Sequence, residues 1–297
     1  MIQSARFTNI NGMFVDFNTD QIPFNNFVTT VDMRFTEKDR SQEHGIYPGE
    51  EYMGKRLFHC EGDLLTNTSA EYIALRMSMI GALLPRPHLG MKAVGTLDIL
   101  FEGMTEHLTC ECTLDGYPEI PLNGSSPSAS PYQVNFKAYD PRLYGPWQSV
   151  DIAYNPAFEN IGGRSYNKTY PKTWIVSASS SPGQLIVTNS GNIETKPMII
   201  FYGPVADPAA VFTTSDGHIY VFRLSGLTLT DVNDFAVVDF SKHTVTRSTG
   251  QNLYNYSVGS DWFLLEPKPI VNNVRFTGTA LAAPSHMSVQ WRNAYMF

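Results

Sequence analysis

Residues 49–56, GEEYMGKR, carry the G-x-x-x-x-G-K frame of a phosphate-binding loop and come nearest in this chain to a nucleotide motif. Three features argue against that chemistry. Arg56 stands where Ser or Thr would ligate magnesium, Glu50 and Glu51 would repel phosphate, and a strand-like run at 57–64 follows where a helix should begin. Seven histidines are scattered with no H-E-x-x-H pair, and no G-x-S-x-G elbow occurs, so neither a zinc protease nor an α/β-hydrolase is indicated. Cys110 and Cys112 alternate with Leu108 and Leu114 on the apolar face of one strand; with the distant Cys60 they lack the second clustered pair of a zinc site and read as core thiols. Glu61, Asp63, Glu102 and Glu111 could pair for glycoside hydrolysis, because such carboxylates converge from separate strands, although solvated strand faces explain them better. Trp147 and Trp174, near Pro146 and Pro171, are candidates for stacking on sugar rings, whereas Trp262 and Trp291 fall among apolar positions and read as core. These patterns predict no catalytic residue, no cofactor and no metal.

The elements that would hold any such site are built from an unusual composition. Charged residues make up 16% of the chain, below the ~25% of ordinary soluble domains, while aromatics reach 12% and hydrophobic residues 42%. That balance fits a β-rich protein that buries area against neighbours. The formal charge of −7, with no stripe of Lys and Arg, leaves phosphate-backbone binding without electrostatic footing, so no direct nucleic-acid partner is expected. No run approaches the ~20 apolar residues of a membrane helix, and the opening MIQSARFTNI lacks the layout of a signal peptide. The expectation is a soluble protein with no membrane partner.

At 297 residues the chain is long enough for two domains with separate cores. One helix is predicted, over 68–85: Thr68 and Glu71 form a capping box, Pro85 ends the run, and Tyr72, Ile73, Met77, Ile80 and Leu84 make an apolar stripe widened by Met79 and Leu83. Around it the period is two. Phe58, Cys60 and Leu64 alternate with polar residues before the helix, and Tyr132, Val134, Phe136 and Ala138 do so after it. The stretch 36–52 is charged and holds Gly45, Pro48 and Gly49, so it reads as a loop or a protruding hairpin. After Asp140 and Pro141 no helical period returns, and the boundary is placed near 144–147, giving domains 1–145 and 146–297. Short strands then follow at 173–178, 184–189, 198–202, 218–224, 235–240, 243–247, 273–277 and 287–297, the series of a sandwich or small barrel. Residues 184–212 are the most patterned stretch: two β-rich runs flank a polar turn at Asn189, Gly191 and Asn192, and then stop at Pro204 and Pro208.

Several blocks, in order, resemble the distal tail proteins of phages with long non-contractile tails. They are Gly54-Lys55-Arg56 leading into a strand, the helix ending at Leu83-Leu84-Pro85, Ala138-Tyr139-Asp140-Pro141 with Tyr144, Asn189-Ser190-Gly191, residues 199–204 (IIFYGP), Asp207-Pro208, Ser260-Asp261-Trp262, and the closing Trp291-Arg292-Asn293-Ala294-Tyr295. One departure is clear: Glu266-Pro267-Lys268-Pro269 stands where the family often has a Pro-Gly-Asn turn. The resemblance implies a mainly β fold, with an N-terminal ring-forming domain holding one helix and a protruding hairpin or loop, then a galectin-like C-terminal β-sandwich. It implies a homo-hexameric ring in the virion, at the distal end of the tail, made in the host cytoplasm. That ring would join the tail tube to the tail-tip hub, meet the tape-measure protein, and carry receptor-binding or side-fibre proteins. Glu37, Asp39, Arg40 and Glu43, with Tyr52 and Arg56 beside them, are the candidates for inter-subunit contact, a solvated loop being the other reading. The alternative function is a carbohydrate-binding module that contacts host glycans through Trp147 and Trp174.

Overall fold

The computed structural model describes residues 1–39, 46–84, 94–121, 129–153, 184–279 and 284–297, without the side chains of 35–39, 46–51 and 184. Its contacts fall into two units, Met1–Pro146 with Met296–Phe297, and Trp147–Tyr295. The fold is mainly β, and its strand pairings within the sheets are antiparallel.

In the first unit, alternating apolar and polar residues build β1 (Ile2–Thr8), β2 (Phe14–Phe17), β3 (Phe24–Asp39), β4 (Ile46–Leu64), β5 (Gly95–Phe101), β6 (Leu108–Leu114) and β7 (Ser130–Ala138). They lie in the order β3-β4-β7-β6-β5-β1-β2. Phe58, Cys60, Leu97, Ile99, Cys112, Val134 and Phe136 point to one interior and are buried. The sheet coils until its outer strands face each other, with the Phe17 ring on β2 lying 6.5 Å from Phe27 on β3 and 6.1 Å from Phe136 on β7. All three cysteines are free and buried in this core, and burial pushes the Cys60 thiol up to about 12.

The charged stretch is a hairpin through its described residues. Register runs from Phe24 opposite Gly62 to Asp39 opposite Ile46. β4 pairs with β7 only from Arg56 to Leu64, so residues 32–39 and 46–55 pair with each other alone. A bulge between Val31 and Met33 marks where the hairpin leaves the sheet.

The helix α1 (Ser69–Leu83) starts as its sequence predicts, with the Glu71 N–H donating to Thr68 Oγ1 at 3.2 Å. The Glu71 carboxylate accepts from the Asn67 N–H at 2.9 Å, one residue before the expected Thr68 N–H. The buried face differs from the expected one. Tyr72, Met79, Ala82 and Leu83 are buried, whereas Ile73 and Met77 are 50% and 67% exposed. The helix is apolar around much of its circumference, so periodicity left two neighbouring stripes to choose between. Tertiary bonds decide it: the Tyr72 hydroxyl donates to Pro121 O, and Arg76 Nε donates to Ile120 O at 2.9 Å.

In the second unit one sheet holds β15 (Thr244–Arg247), β14 (Phe235–Asp239), β10 (Met198–Tyr202) and β17 (His286–Tyr295) in that order, continued by the part of β8 (Leu143–Ala153) that lies in this unit. The other holds β12 (Ile219–Arg223), β11 (Val205–Thr213), β16 (Asn272–Thr279) and β9 (Gln184–Val187), with β13 (Thr228–Leu229) beside β11. Phe201, Val238, Met287 and Val289 from the first share a single core with Val187, Phe212, Phe222 and Val274 from the second. The expected strand at 173–178 lies outside the described residues.

One expectation about 184–212 is corrected here. The run 198–202 ends before Pro204 as expected, but Pro208 stops nothing: a separate strand, β11, passes through it and lies between β12 and β16 in its sheet. It does so through a register shift between Ala206 and Ala209, where Asp207 takes a φ of 49° and its carboxylate accepts from the Gly226 N–H and from Thr279 Oγ1 at 2.8 Å. The polar turn also joins strands of different sheets, because β9 pairs with β16 and β10 with β17.

Candidate functional site

The sequence-predicted interface residues do not form one cluster. Glu37 and Asp39 lie on β3 with backbone partners Pro48 and Ile46, and Arg40 and Glu43 lie outside the described residues. Tyr52 sits opposite Arg34 and is 55% exposed, open to a partner. Arg56 is different. Its side chain is fully buried, so it is not the surface contact that its charge suggested.

The Arg56 guanidinium is held by the fold of the first unit. Nε donates to Pro141 O at 2.6 Å, Nη1 to Thr29 Oγ1 at 3.0 Å and to Phe297 O at 3.4 Å, and Nη2 to Met296 Sδ at 2.8 Å. Burial pulls its pKa below the ordinary guanidinium value, with Cys110 and Asp140 opposing the shift, yet the group stays charged because that ordinary value is so high. A charge buried this way organises its surroundings and is unavailable for docking. The Gly-Lys-Arg block therefore positions Pro141 and Met296–Phe297 around β4.

The aromatic candidates divide similarly. Trp147 is 58% exposed, with the Arg292 guanidinium 5.8 Å from its ring centroid, and Trp174 lies outside the described residues. Trp262 packs edge-on against Phe222 at 4.9 Å and Phe240 at 5.1 Å, and Trp291 is 8% exposed, as their apolar settings predict.

Among the carboxylates weighed for glycoside hydrolysis, Glu61 accepts from Asn26 Nδ2 at 3.1 Å and lies 3.4 Å from His59 Nε2. The Asn26 and His59 bonds hold its pKa below the usual range, opposite to what a general acid requires. Asp63 accepts from Asn25 Nδ2 at 2.8 Å. No group of three or more His, Cys, Asp or Glu among the described residues could hold a metal ion.

What the structure does bring together are the motif blocks of the second unit. Asn189 is fully buried: its Nδ2 donates to Ile193 O at 2.8 Å and Leu265 O at 3.2 Å, while its Oδ1 accepts from the Gly191 N–H at 3.0 Å and the Ala294 N–H at 3.4 Å. The Ser190 N–H donates to Asn293 Oδ1 at 2.9 Å, and Trp291 Nε1 donates to Thr188 O at 3.1 Å. A Cβ on Gly191 would lie 1.7 Å from Ala294 O, so only glycine fits that approach. Asn189-Ser190-Gly191 and the terminal Trp-Arg-Asn-Ala block thus form one interlocked joint. Its chemistry is backbone satisfaction, with no open ligand position.

No protein-family model matches the sequence, and no curated protein matches it. Solved structures do. The Dit protein of phage SPP1, described as a paradigm of the hub adsorption apparatus in phages infecting Gram-positive hosts, superposes with a TM-score of 0.62 at 13% identity, covering 98% of this chain and 99% of that one. The chain has the fold of a phage distal tail protein. A chain of the phage P2 baseplate, in its activated conformation with Ca, shares the arrangement at a TM-score of 0.52 and 12% identity, with 98% of each chain covered. At such identities the likeness is one of fold, with few residues held in common. The Asn189–Ala294 joint and the Arg56 anchor are where this chain's own residues secure that fold.

Proposed function

We propose that this chain is a structural virion protein that forms a ring, of six copies, at the distal end of a long non-contractile phage tail. The observation that carries this reading is the end-to-end match, through both units, to the SPP1 Dit protein. The ring joins the tail tube to the tail-tip hub, meets the tape-measure protein, and supports receptor-binding or side-fibre proteins. Its role is structural and not enzymatic: the titratable groups described above stabilise strands and turns. The overhanging β3–β4 hairpin supports the same reading, because a two-stranded ribbon beyond its sheet is marginal in water without a covering surface. Head-to-tail contacts that close by rotation build such a ring without a cofactor. Mass photometry and class averages of the purified protein test it, with closed hexamers expected. A stable monomer at every concentration, binding neither tube nor tip protein, would overturn it.

One observation favours a second reading. Trp147 is open enough to stack on a sugar, which is the contact a glycan-binding module needs. A glycan array run with wild type, Trp147→Ala and Trp174→Ala checks it; absence of any sugar-dependent signal removes it.

A further inference from the structure

We infer that the Ser260-Asp261-Trp262 block is a strap that closes the hydrogen-bonding edge of β12, and that with the strap removed β12 pairs edge to edge with β12 of a second copy. The strap acts inside the second unit, so it stands apart from the ring reading.

Among the described residues β12 ends its sheet, with β11 on one side. The Leu224 N–H donates to Pro208 O at 2.9 Å, so the backbone groups of Phe222, two residues away, also point toward β11, and those of Val221 and Arg223 point outward. Outward groups of this kind are what an open edge offers to another chain. Here all four are taken. The Val221 N–H donates to Asp261 Oδ2 at 2.9 Å, and the Asp261 N–H donates back to Val221 O at 2.9 Å. The Arg223 N–H donates to Ser260 Oγ at 3.0 Å, and the same hydroxyl donates to Arg223 O at 2.7 Å.

Two side chains and one N–H thus replace a partner strand. A strand laid there would present its own outer edge, whereas a carboxylate and a hydroxyl end the ladder. Contacts on both sides pin the strap: the Ser260 N–H donates to Ser257 O at 3.1 Å, and the Trp262 ring packs against Phe222 at 4.9 Å and Phe240 at 5.1 Å.

The strand beneath is one that pairs with itself when uncovered. Residues 219–224, IYVFRL, hold two β-branched and two aromatic residues, one charge, and no proline or glycine. Ile219 is 63% exposed and Tyr220 38%, so a second strand would meet apolar side chains beside the backbone groups. An antiparallel pair centred on Val221 lets that residue exchange N–H···O bonds with its own copy. It also sets Arg223 across from Ile219, so the one charge does not face itself.

Removing the strap from the full chain tests this. In wild type the Val221 and Arg223 amides should resist hydrogen exchange as well as the Phe222 amide does, read residue by residue with electron-transfer fragmentation. Ser260→Ala/Asp261→Ala should associate beyond the wild-type assembly in sedimentation velocity, with half-association at a concentration about tenfold lower, the worth of one or two net backbone hydrogen bonds. Adding Val221→Pro, which deletes an outward donor and leaves the inward ladder intact, should restore the wild-type distribution. Wild-type Val221 and Arg223 amides that exchange like those of an open edge would overturn the inference whether or not the variant folds. So would a folded double variant that keeps the wild-type distribution, or association that Val221→Pro leaves unchanged. Should the double variant fail to fold, Ser260→Ala alone, which keeps both Asp261 bonds, decides the matter by the same readouts.

Discussion

Replacing Asn189 by Asp changes one NH₂ to an oxygen at nearly constant volume, and the joint of the second unit predicts a large effect. The two donors that Asn189 supplies, to Ile193 O at 2.8 Å and Leu265 O at 3.2 Å, are lost, and both carbonyls then face an oxygen in a fully buried site. Leaving a buried acceptor without its donor costs about 1 to 3 kcal/mol, so two give roughly 2 to 6 kcal/mol at pH 7. For a unit of this size that lowers the thermal midpoint by about 10 °C. The loss carries a pH signature. Burial raises the folded pKa of the introduced carboxyl above its unfolded value, so the folded variant binds the proton more tightly. The deficit against wild type is then smallest at low pH, where the protonated carboxyl can donate to one carbonyl, and grows as pH rises through the folded pKa. Calorimetry of wild type and variant between pH 4 and 8 checks both parts. A variant as stable as wild type at pH 7, or a deficit that does not change with pH, would refute the claim that Asn189 acts as a paired donor.

Three further outcomes follow from named contacts. Met79→Ala should cost about 2 to 5 kcal/mol by opening a cavity under α1, while Met77→Ala should stay within about 0.5 kcal/mol; denaturant melts that rank them the other way would restore the stripe predicted from periodicity. Arg247 grips Asp234 with Nε to Oδ1 at 2.7 Å and Nη2 to Oδ2 at 2.6 Å, and that grip holds the Asp234 pKa below the usual range. The pair's contribution is therefore present above the ordinary carboxylate pKa and lost as pH falls through the lowered one, so Asp234→Asn should destabilise at pH 7 and converge with wild type in strong acid, as read by thermal melts. The Glu266 carboxyl is pushed up by burial, then by the nearby charges of Glu194 and Asp216. Its protonated form is preferred in the fold, so Glu266→Gln should raise the melting temperature at pH 7 and lose that advantage as pH falls below the ordinary glutamate value.

Local features were legible where the physics is local. Thr68 and Glu71 announce the helix start because a cap needs only four consecutive residues, and Met198–Tyr202 reads as a strand because five β-formers in a row need no distant help. Strand β11 was not legible, because Pro208 resembles a stop until Gly226 and Thr279 are seen to hold the bulge at Asp207. Of the candidate site residues, Trp147 and Tyr52 are exposed, but Arg56 is interior: a sequence shows its charge and not the carbonyls of Pro141 and Phe297 that solvate it.

By itself, the sequence determined a mainly β chain with one capped helix and core cysteines, and its ordered motif blocks pointed to the distal tail fold. The strand content, the helix and the core thiols follow from period, capping and composition, which act between near neighbours, whereas the distal tail fold came from the resemblance. The tertiary structure alone decided which side of α1 is buried, that β9 and β10 belong to different sheets, and that Asn189 meets Ala294 across 105 positions. Each of these depends on a partner distant in the chain, and no local pattern of residue types encodes which distant backbone group will arrive.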